Sequence, residues 1–188
     1  MGNTAGKKAT FGLTPQEKKI IRETWKIVKK DLGRNGLVVF VIFFRDYPHN
    51  LKYFPFNIEN LDDLEREPLV KLHALRVMRE LNYCVENMDK PESLLYALRQ
   101  NALNHRKRAI HRAAYDELRL SMLKALGHQL GTQKFKPEAD MAWDKALRVL
   151  FQVITDINDE KKCICPPPSR AQHAPTDPNA AGTSKKSK

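Results

Sequence analysis

The sequence predicts an all-α protein. Apolar residues recur at steps of three and four through most of the chain, and six of the eleven prolines (Pro15, Pro48, Pro55, Pro68, Pro91 and Pro137) stand at the edges of those periodic segments. No pair of strand-like segments competes with this reading. The other five prolines (Pro166, Pro167, Pro168, Pro175 and Pro178) fall in a stretch rich in Ala, Ser, Thr and Lys with almost no apolar bulk. The chain therefore divides into a flexible segment 1–11, one helical domain at 12–160 and a disordered Pro/Lys-rich tail at 161–188. A length of 188 residues leaves room for one domain with appendages.

Thr14-Pro15-Gln16-Glu17 reads as a capping box with proline in the first turn; Ile21, Trp25, Val28 and Leu32 follow on one face, and Gly33 is expected to end the helix. Leu37 to Phe44 is eight consecutive apolar residues. Periodicity cannot separate a buried helix from a buried strand there, and with no partner strand in the chain it is assigned as a helix. An aromatic cluster, Tyr53-Phe54-Pro55-Phe56, follows Pro48 and leads into an acidic loop with Leu61 and Leu64. Pro68 opens a helix with the stripe Val70, His73, Val77, Leu81, Cys84 and Met88, and Pro91 opens another with Leu94, Leu98, Ala102 and His105. A break at Arg106-Lys107-Arg108 precedes a helix that faces Tyr115, Leu118, Met122 and Leu126 inward and stops near Gly127 or Gly131. The last helix starts at Pro137 and carries Trp143, Leu147, Leu150, Ile154 and Ile157.

The formal charge is +11, but +7 of it belongs to residues 1–8 and 161–188. The body carries both signs in near balance, which speaks against a cofactor-free, basic helical nucleic-acid-binding protein; no nucleic-acid partner is expected. No window reaches the ~18 apolar residues of a membrane span, and no secretory signal precedes the domain, so the expected location is cytoplasmic. Three cysteines, an odd number, argue against a disulfide framework, and Cys84 on its helical stripe is expected to be a buried thiol.

His73 and His105 each interrupt an apolar helical face. One such histidine is ordinarily a hydrogen-bonded core residue. Two on different helices could face each other across a pocket lined by Phe40, Phe54, Val77, Leu98 and Ile110. Two imidazoles with no carboxylate or thiolate on the same faces make a poor zinc site, which takes three or four protein ligands. Haem fits better: it brings four ligands, takes one or two axial groups from the protein and needs an apolar, aromatic-lined slot.

At this point the sequence resembles a globin over about residues 12–158. Trp25 matches the tryptophan of the family's first helix, while Gly36 and Ala74 match the small residues where two helices cross closely. Pro48 stands six residues before Phe54, the residue that stacks on the haem. His73 with Val77 resembles the distal histidine and valine; His105 with Ile110 and Tyr115 resembles the proximal histidine, a haem-contacting aliphatic residue and an aromatic residue of the next helix. The resemblance implies a globin fold, helices packed around a haem pocket, with haem b (iron protoporphyrin IX) as cofactor. It implies reversible binding of dioxygen or another diatomic gas (NO, CO), in sensing, scavenging or redox chemistry rather than bulk transport. His105 is then the permanent axial ligand, its other ring nitrogen donating to a carbonyl or carboxyl group.

Two roles stay open for His73: a hydrogen bond to the bound gas, or direct coordination of iron in its absence. The likeness to neuroglobin-like and other intracellular invertebrate-type globins favours coordination. Phe40 occupies a distal-pocket position and cannot donate a hydrogen bond, which leaves His73 alone to do so. Arg76 is a candidate for a haem propionate, with a solvated side chain as the alternative; Arg106, Lys107 and Arg108 are candidates from the other side, at least two of them facing water. Haem enzyme activity, as a nitric oxide dioxygenase or nitrite reductase, is the rival functional reading.

The ends carry a further expectation. Met1-Gly2 begins an N-myristoylation pattern with Lys7 and Lys8 behind it, although Gly6 stands where Ser or Thr is usual. One acyl chain anchors weakly, so a second signal is needed. Cys163 and Cys165 beside Lys161 and Lys162, or Lys185, Lys186 and Lys188, would supply it and place the protein at the inner face of the plasma membrane. A soluble tail with inert thiols is the alternative.

Overall fold

The computed structural model describes residues 12–160; Gly2, Lys7, Lys8, Cys163, Cys165 and the terminal lysines lie outside them. Six α-helices carry the structure: α1 (Pro15–Val28), α2 (Leu32–Asp46), α3 (Pro68–Glu86), α4 (Pro91–Arg106), α5 (Arg112–Lys134) and α6 (Pro137–Glu160). Short 3-10 segments at Lys29–Asp31, Pro48–Tyr53 and Leu61–Asp63 join them, and there is no strand among the described residues. No helix among those residues is long and apolar enough to cross a membrane.

The capping box forms as the sequence predicts. Thr14 N–H donates to the Glu17 carboxylate at 2.6 Å and Glu17 N–H donates to Thr14 Oγ1 at 3.2 Å. The end of the first helix differs from expectation. Gly33 does not terminate it: α1 stops at Val28, a 3-10 turn follows, and Asp31 caps a new helix by accepting from Arg34 N–H at 2.9 Å. Leu32 and Gly33 therefore open α2, because the Asp31 carboxylate satisfies an orphan N–H and makes a fresh start cheaper than a continued helix. The apolar run Leu37 to Phe44 is helical, with Val39, Phe40, Phe43 and Phe44 buried.

Two tryptophans tie the first helix to the rest. Trp25 and Trp143 pack with ring centroids 5.6 Å apart, and both are almost wholly buried. A buried indole N–H needs an acceptor. Trp25 Nε1 donates to Asn82 Oδ1 at 2.9 Å and Trp143 Nε1 to Thr24 Oγ1 at 2.9 Å, so α1 is fixed to α3 and α6 together.

The α2–α3 crossing has no room for side chains. A Cβ built on Gly36 would lie 2.6 Å from Met78 Cγ and 2.9 Å from the Ala74 carbonyl oxygen. Met78 can shift, but a backbone carbonyl inside α3 cannot. Gly131 bends α5 with φ +66°, a conformation that favours glycine, and of the two predicted stop positions it is this one that breaks helical geometry. The other correction is small: Arg106 is the last residue of α4, and the break falls after it, at Lys107–His111.

The Gly36 contact predicts that Gly36→Ala lowers stability by about 1–3 kcal/mol through overpacking, and that Gly36→Val costs more. Urea unfolding monitored by circular dichroism checks both; an unchanged midpoint for Gly36→Ala would show that the helices separate freely.

Candidate functional site

All six central helices but the first border one cleft of about 860 Å³ measured out to its open mouth. Every residue predicted for the pocket lines it: Phe40 from α2, Phe54 from the loop, His73 and Val77 from α3, Leu98 and His105 from α4, and Ile110 before α5. Tyr115, Leu118 and Met122 from α5 and Leu147, Leu150 and Ile154 from α6 close the inner end. The walls are apolar because each helix turns its hydrophobic stripe inward.

His105 sits in the last turn of α4. Its Nδ1 lies 2.8 Å from the Asn101 carbonyl oxygen one turn back. A carbonyl only accepts, so Nδ1 carries the hydrogen and Nε2 keeps its lone pair for another partner. The carbonyl partner expected from the sequence is thus present, and its identity follows from the four-residue repeat of the helix.

His73 reaches the cleft from α3. The Phe40 and Phe54 rings both meet it edge-on with centroids 5.0 Å away, and its ring makes no hydrogen bond among the described residues. Phe54 is itself braced by Phe44 at 5.1 Å and by the stacked ring of Phe56 at 4.9 Å. Burial, assisted by the positive fields of His105, Arg108 and Arg76, lowers the His73 pKa to about 4, so the imidazole is neutral at physiological pH.

The mouth is lined by Tyr53, Leu69, Leu72, Arg76 and Arg108 together with both histidines. Of the basic run after His105, the structure separates three behaviours. Arg106 turns inward and donates to the Ile157 carbonyl at 3.4 Å, Lys107 faces water, and Arg108 donates from Nη1 to the Tyr53 carbonyl at 2.7 Å across the cleft entrance. Ala109 beside it takes φ +48°, the one non-glycine residue with positive φ among those described, so the turn is held in a strained shape. Arg76 is exposed at the rim and makes no hydrogen bond or ion pair among the described residues.

Three chemistry-bearing groups border the cleft without having been predicted there. Glu80 and Asn101 line it at the α3–α4 edge. Cys84, which the sequence reading places on a buried stripe, also lines it, and burial pushes its thiol up to about 12. The hydroxyl of Tyr115 is buried on the cleft wall with no partner among the described residues, and its pKa is likewise raised to about 12. Even with Glu80 and Cys84 nearby, no three His, Cys, Asp or Glu side chains among the described residues gather in a metal-holding group. A site made by protein ligands alone is not what this cleft offers.

Comparison with known proteins decides the family. The globin family model matches residues 38–154. A globin of Nerita albicilla is 32% identical over 143 residues, spanning 76% of this chain and 90% of that protein. It belongs to the globin family. Cytoglobin-2 of Danio rerio is 28% identical over 158 residues, covering 81% of this chain and 86% of its own. The solved structure of a Drosophila melanogaster globin superposes with a TM-score of 0.70 at 22% identity, over 77% of this chain and 94% of that one, and supports the fold.

Haem binding, and through haem the binding of diatomic gases such as dioxygen, follows from membership. The cleft of this globin fits that group on its own geometry. Two imidazoles border an aromatic, apolar slot, one of them with Nε2 unbonded among the described residues, and the two guanidiniums at the open rim could hold the group's carboxylates.

The neutral state of His73 has a pH consequence in the haem-free protein. Its folded pKa lies below the ordinary 6.5, so between about 6.5 and 4 the unfolded chain binds more protons and stability falls as pH falls. The loss approaches about 3 kcal/mol and levels off below pH 4. His73→Leu should flatten this part of the curve, which urea titrations of the haem-free protein at pH 4–7 will show; an identical pH profile would mean that His73 titrates normally.

Proposed function

We propose that this globin holds haem b between His105 and His73 and binds a diatomic gas reversibly, in sensing, scavenging or redox chemistry rather than bulk transport. One observation carries the reading: two imidazoles on different helices border one apolar cleft, and each keeps at least one ring nitrogen that no group among the described residues uses. When bound, haem supplies a redox-active iron with four of its own nitrogen donors and two axial positions.

The protein's part is division of labour between the two sides. On one, the Asn101 carbonyl holds the His105 ring in one tautomer and orientation and makes Nε2 a better donor. On the other, Phe40 and Phe54 clamp His73 edge-on and fix its approach to the slot. Val77, Leu98 and Ile110 make the interior apolar, while Arg76 and Arg108 line the rim and would hold the haem's carboxylates there.

His73 in this reading would serve as an iron ligand when no gas is present. Its lowered pKa supports this, because a neutral imidazole is a ligand and an imidazolium is not. Phe40 supports it too, since that ring offers no hydrogen to hold His73 away from the slot. An internal ligand that competes with the gas lowers the apparent affinity by the fraction of protein in which it is released, a property better suited to sensing or scavenging than to carriage.

The test separates the two histidines. His105→Gly should lose haem on purification and recover an intense Soret band when imidazole is added; full haem retention without imidazole removes the proximal assignment. The deoxygenated ferrous protein should show sharp low-spin visible bands that disappear in His73→Leu. A five-coordinate high-spin spectrum of the wild type would overturn coordination by His73 and leave His105 untouched.

A further inference from the structure

A hydrogen bond spans the mouth of the cleft. Arg108 donates from Nη1 to the Tyr53 carbonyl at 2.7 Å, joining the turn after α4 to the end of the 3-10 segment Pro48–Tyr53 across 55 residues of sequence. Each end of this bond leads to one of the two histidines. On the α4 side the Arg108 N–H donates to the His105 carbonyl at 3.0 Å, and the Ala109 N–H to the Arg106 carbonyl at 3.1 Å. Ala109 holds its φ of +48° inside that turn, a conformation that persists only where surrounding contacts over-determine it. On the other side Tyr53 is followed directly by Phe54, whose ring meets His73 edge-on at 5.0 Å.

The Phe54 loop has few other restraints. The start of the 3-10 segment is fixed to α5, because Asn50 Nδ2 and His49 Nε2 lie 2.7 and 3.1 Å from the same Glu117 carboxylate oxygen and Asn50 is buried. At its end the Phe54 N–H donates to the Leu51 carbonyl at 2.9 Å, a bond internal to the segment that ties it to no other element. From Phe56 to Asn60 no backbone N–H reaches a backbone carbonyl among the described residues. Ring packing on Phe44 and Phe56 and the bond from Arg108 to the preceding carbonyl are what place Phe54. A stretch with so few backbone bonds opens locally at low cost, so one charge-assisted bond decides its position.

We propose that Arg108 is a positioning residue that couples the two histidines: its bond straps the Phe54 loop to the turn that follows His105, holds Phe54 against His73, and so restrains the release of His73 from the slot. The effect on iron coordination rests on the haem site proposed above, whereas the strap itself is made by the chain alone. Any shift of the turn after His105 reaches the Tyr53 carbonyl through the Arg108 side chain, and Phe54 is the next residue. Arg76 provides the internal comparison. It stands at the same rim and makes no hydrogen bond or ion pair among the described residues, so it shares the charge of Arg108 but not the strap.

Amide hydrogen exchange of the haem-loaded full chain, read at Phe54 by nuclear magnetic resonance, tests the strap. Arg108→Met should raise exchange there about tenfold, the scale of one charge-assisted hydrogen bond, while α1 and α6 keep their protection. Arg76→Met should leave the Phe54 amide unchanged, and Arg108→Lys, which keeps a cationic donor, should restore part of the protection. In the ferrous protein the rate of carbon monoxide binding at saturating gas reads the release of His73, and Arg108→Met should speed it by a similar factor. Unchanged exchange in Arg108→Met overturns the proposal, and so does an equal rise in Arg76→Met, which would assign the effect to rim charge. Raised exchange with unchanged His73 release overturns the coupling. A five-coordinate wild-type spectrum removes coordination by His73 instead, and the exchange at Phe54 then decides the strap by itself.

Discussion

The α2–α3 crossing governs the pocket. Because Gly36 has no side chain and Ala74 has only a methyl group, the two backbones approach to near contact. One turn beyond Gly36 on α2 stands Phe40, and immediately before Ala74 on α3 stands His73. Close approach at the crossing therefore forces those two rings together, and the 5.0 Å separation of their centroids is its result. Phe54 completes the clamp from the loop, held by Phe44 of the same α2. A larger residue at either small position would lift the histidine away from the cleft as it spread the helices, which couples core packing directly to the geometry of the site.

Charge is kept at the rim and out of the interior. The cleft is lined mainly by aliphatic and aromatic groups, and its inner polar atoms, the Tyr115 hydroxyl and the Cys84 thiol, remain protonated because burial disfavours their anions. Desolvation, assisted by the fields of His105 and of Arg108 and Arg76 at the entrance, keeps His73 uncharged. The same cations that would meet carboxylates outside add to the burial that keeps the imidazole from taking up a proton inside. Arg108 does this from a strained turn, with its guanidinium anchored to the Tyr53 carbonyl, so its position does not depend on the cofactor.

Most of this organisation is written in residue spacing. The capping box at Thr14, the helical assignment of the Leu37–Phe44 run, the histidines in apolar stripes and the residues lining the cleft follow from three- and four-residue steps and from the resemblance that those steps reveal. What spacing misses is decided by atoms outside the stripe. Asp31 starts a new helix through one carboxylate oxygen, which no glycine rule anticipates. The neighbouring arginines Arg106 and Arg108 part because one finds the Ile157 carbonyl and the other the Tyr53 carbonyl, partners 51 and 55 residues away in sequence. Glu80 enters the cleft wall through the width of the α3–α4 edge, a tertiary quantity.

A periodic reading also assigns one apolar stripe to each helix and stops there. On α4 that stripe is Leu94, Leu98, Ala102 and His105, and it is correct. The same helix carries Leu95, Tyr96 and Leu103 on its other side, where amphipathic logic expects charge. The fold of the described residues covers only the inward of these two faces. The inner faces of the histidine-bearing helices fit the cleft, while on the outer face of α4 Leu95, Tyr96 and Leu103 stay exposed, a second pattern that a one-stripe reading does not register.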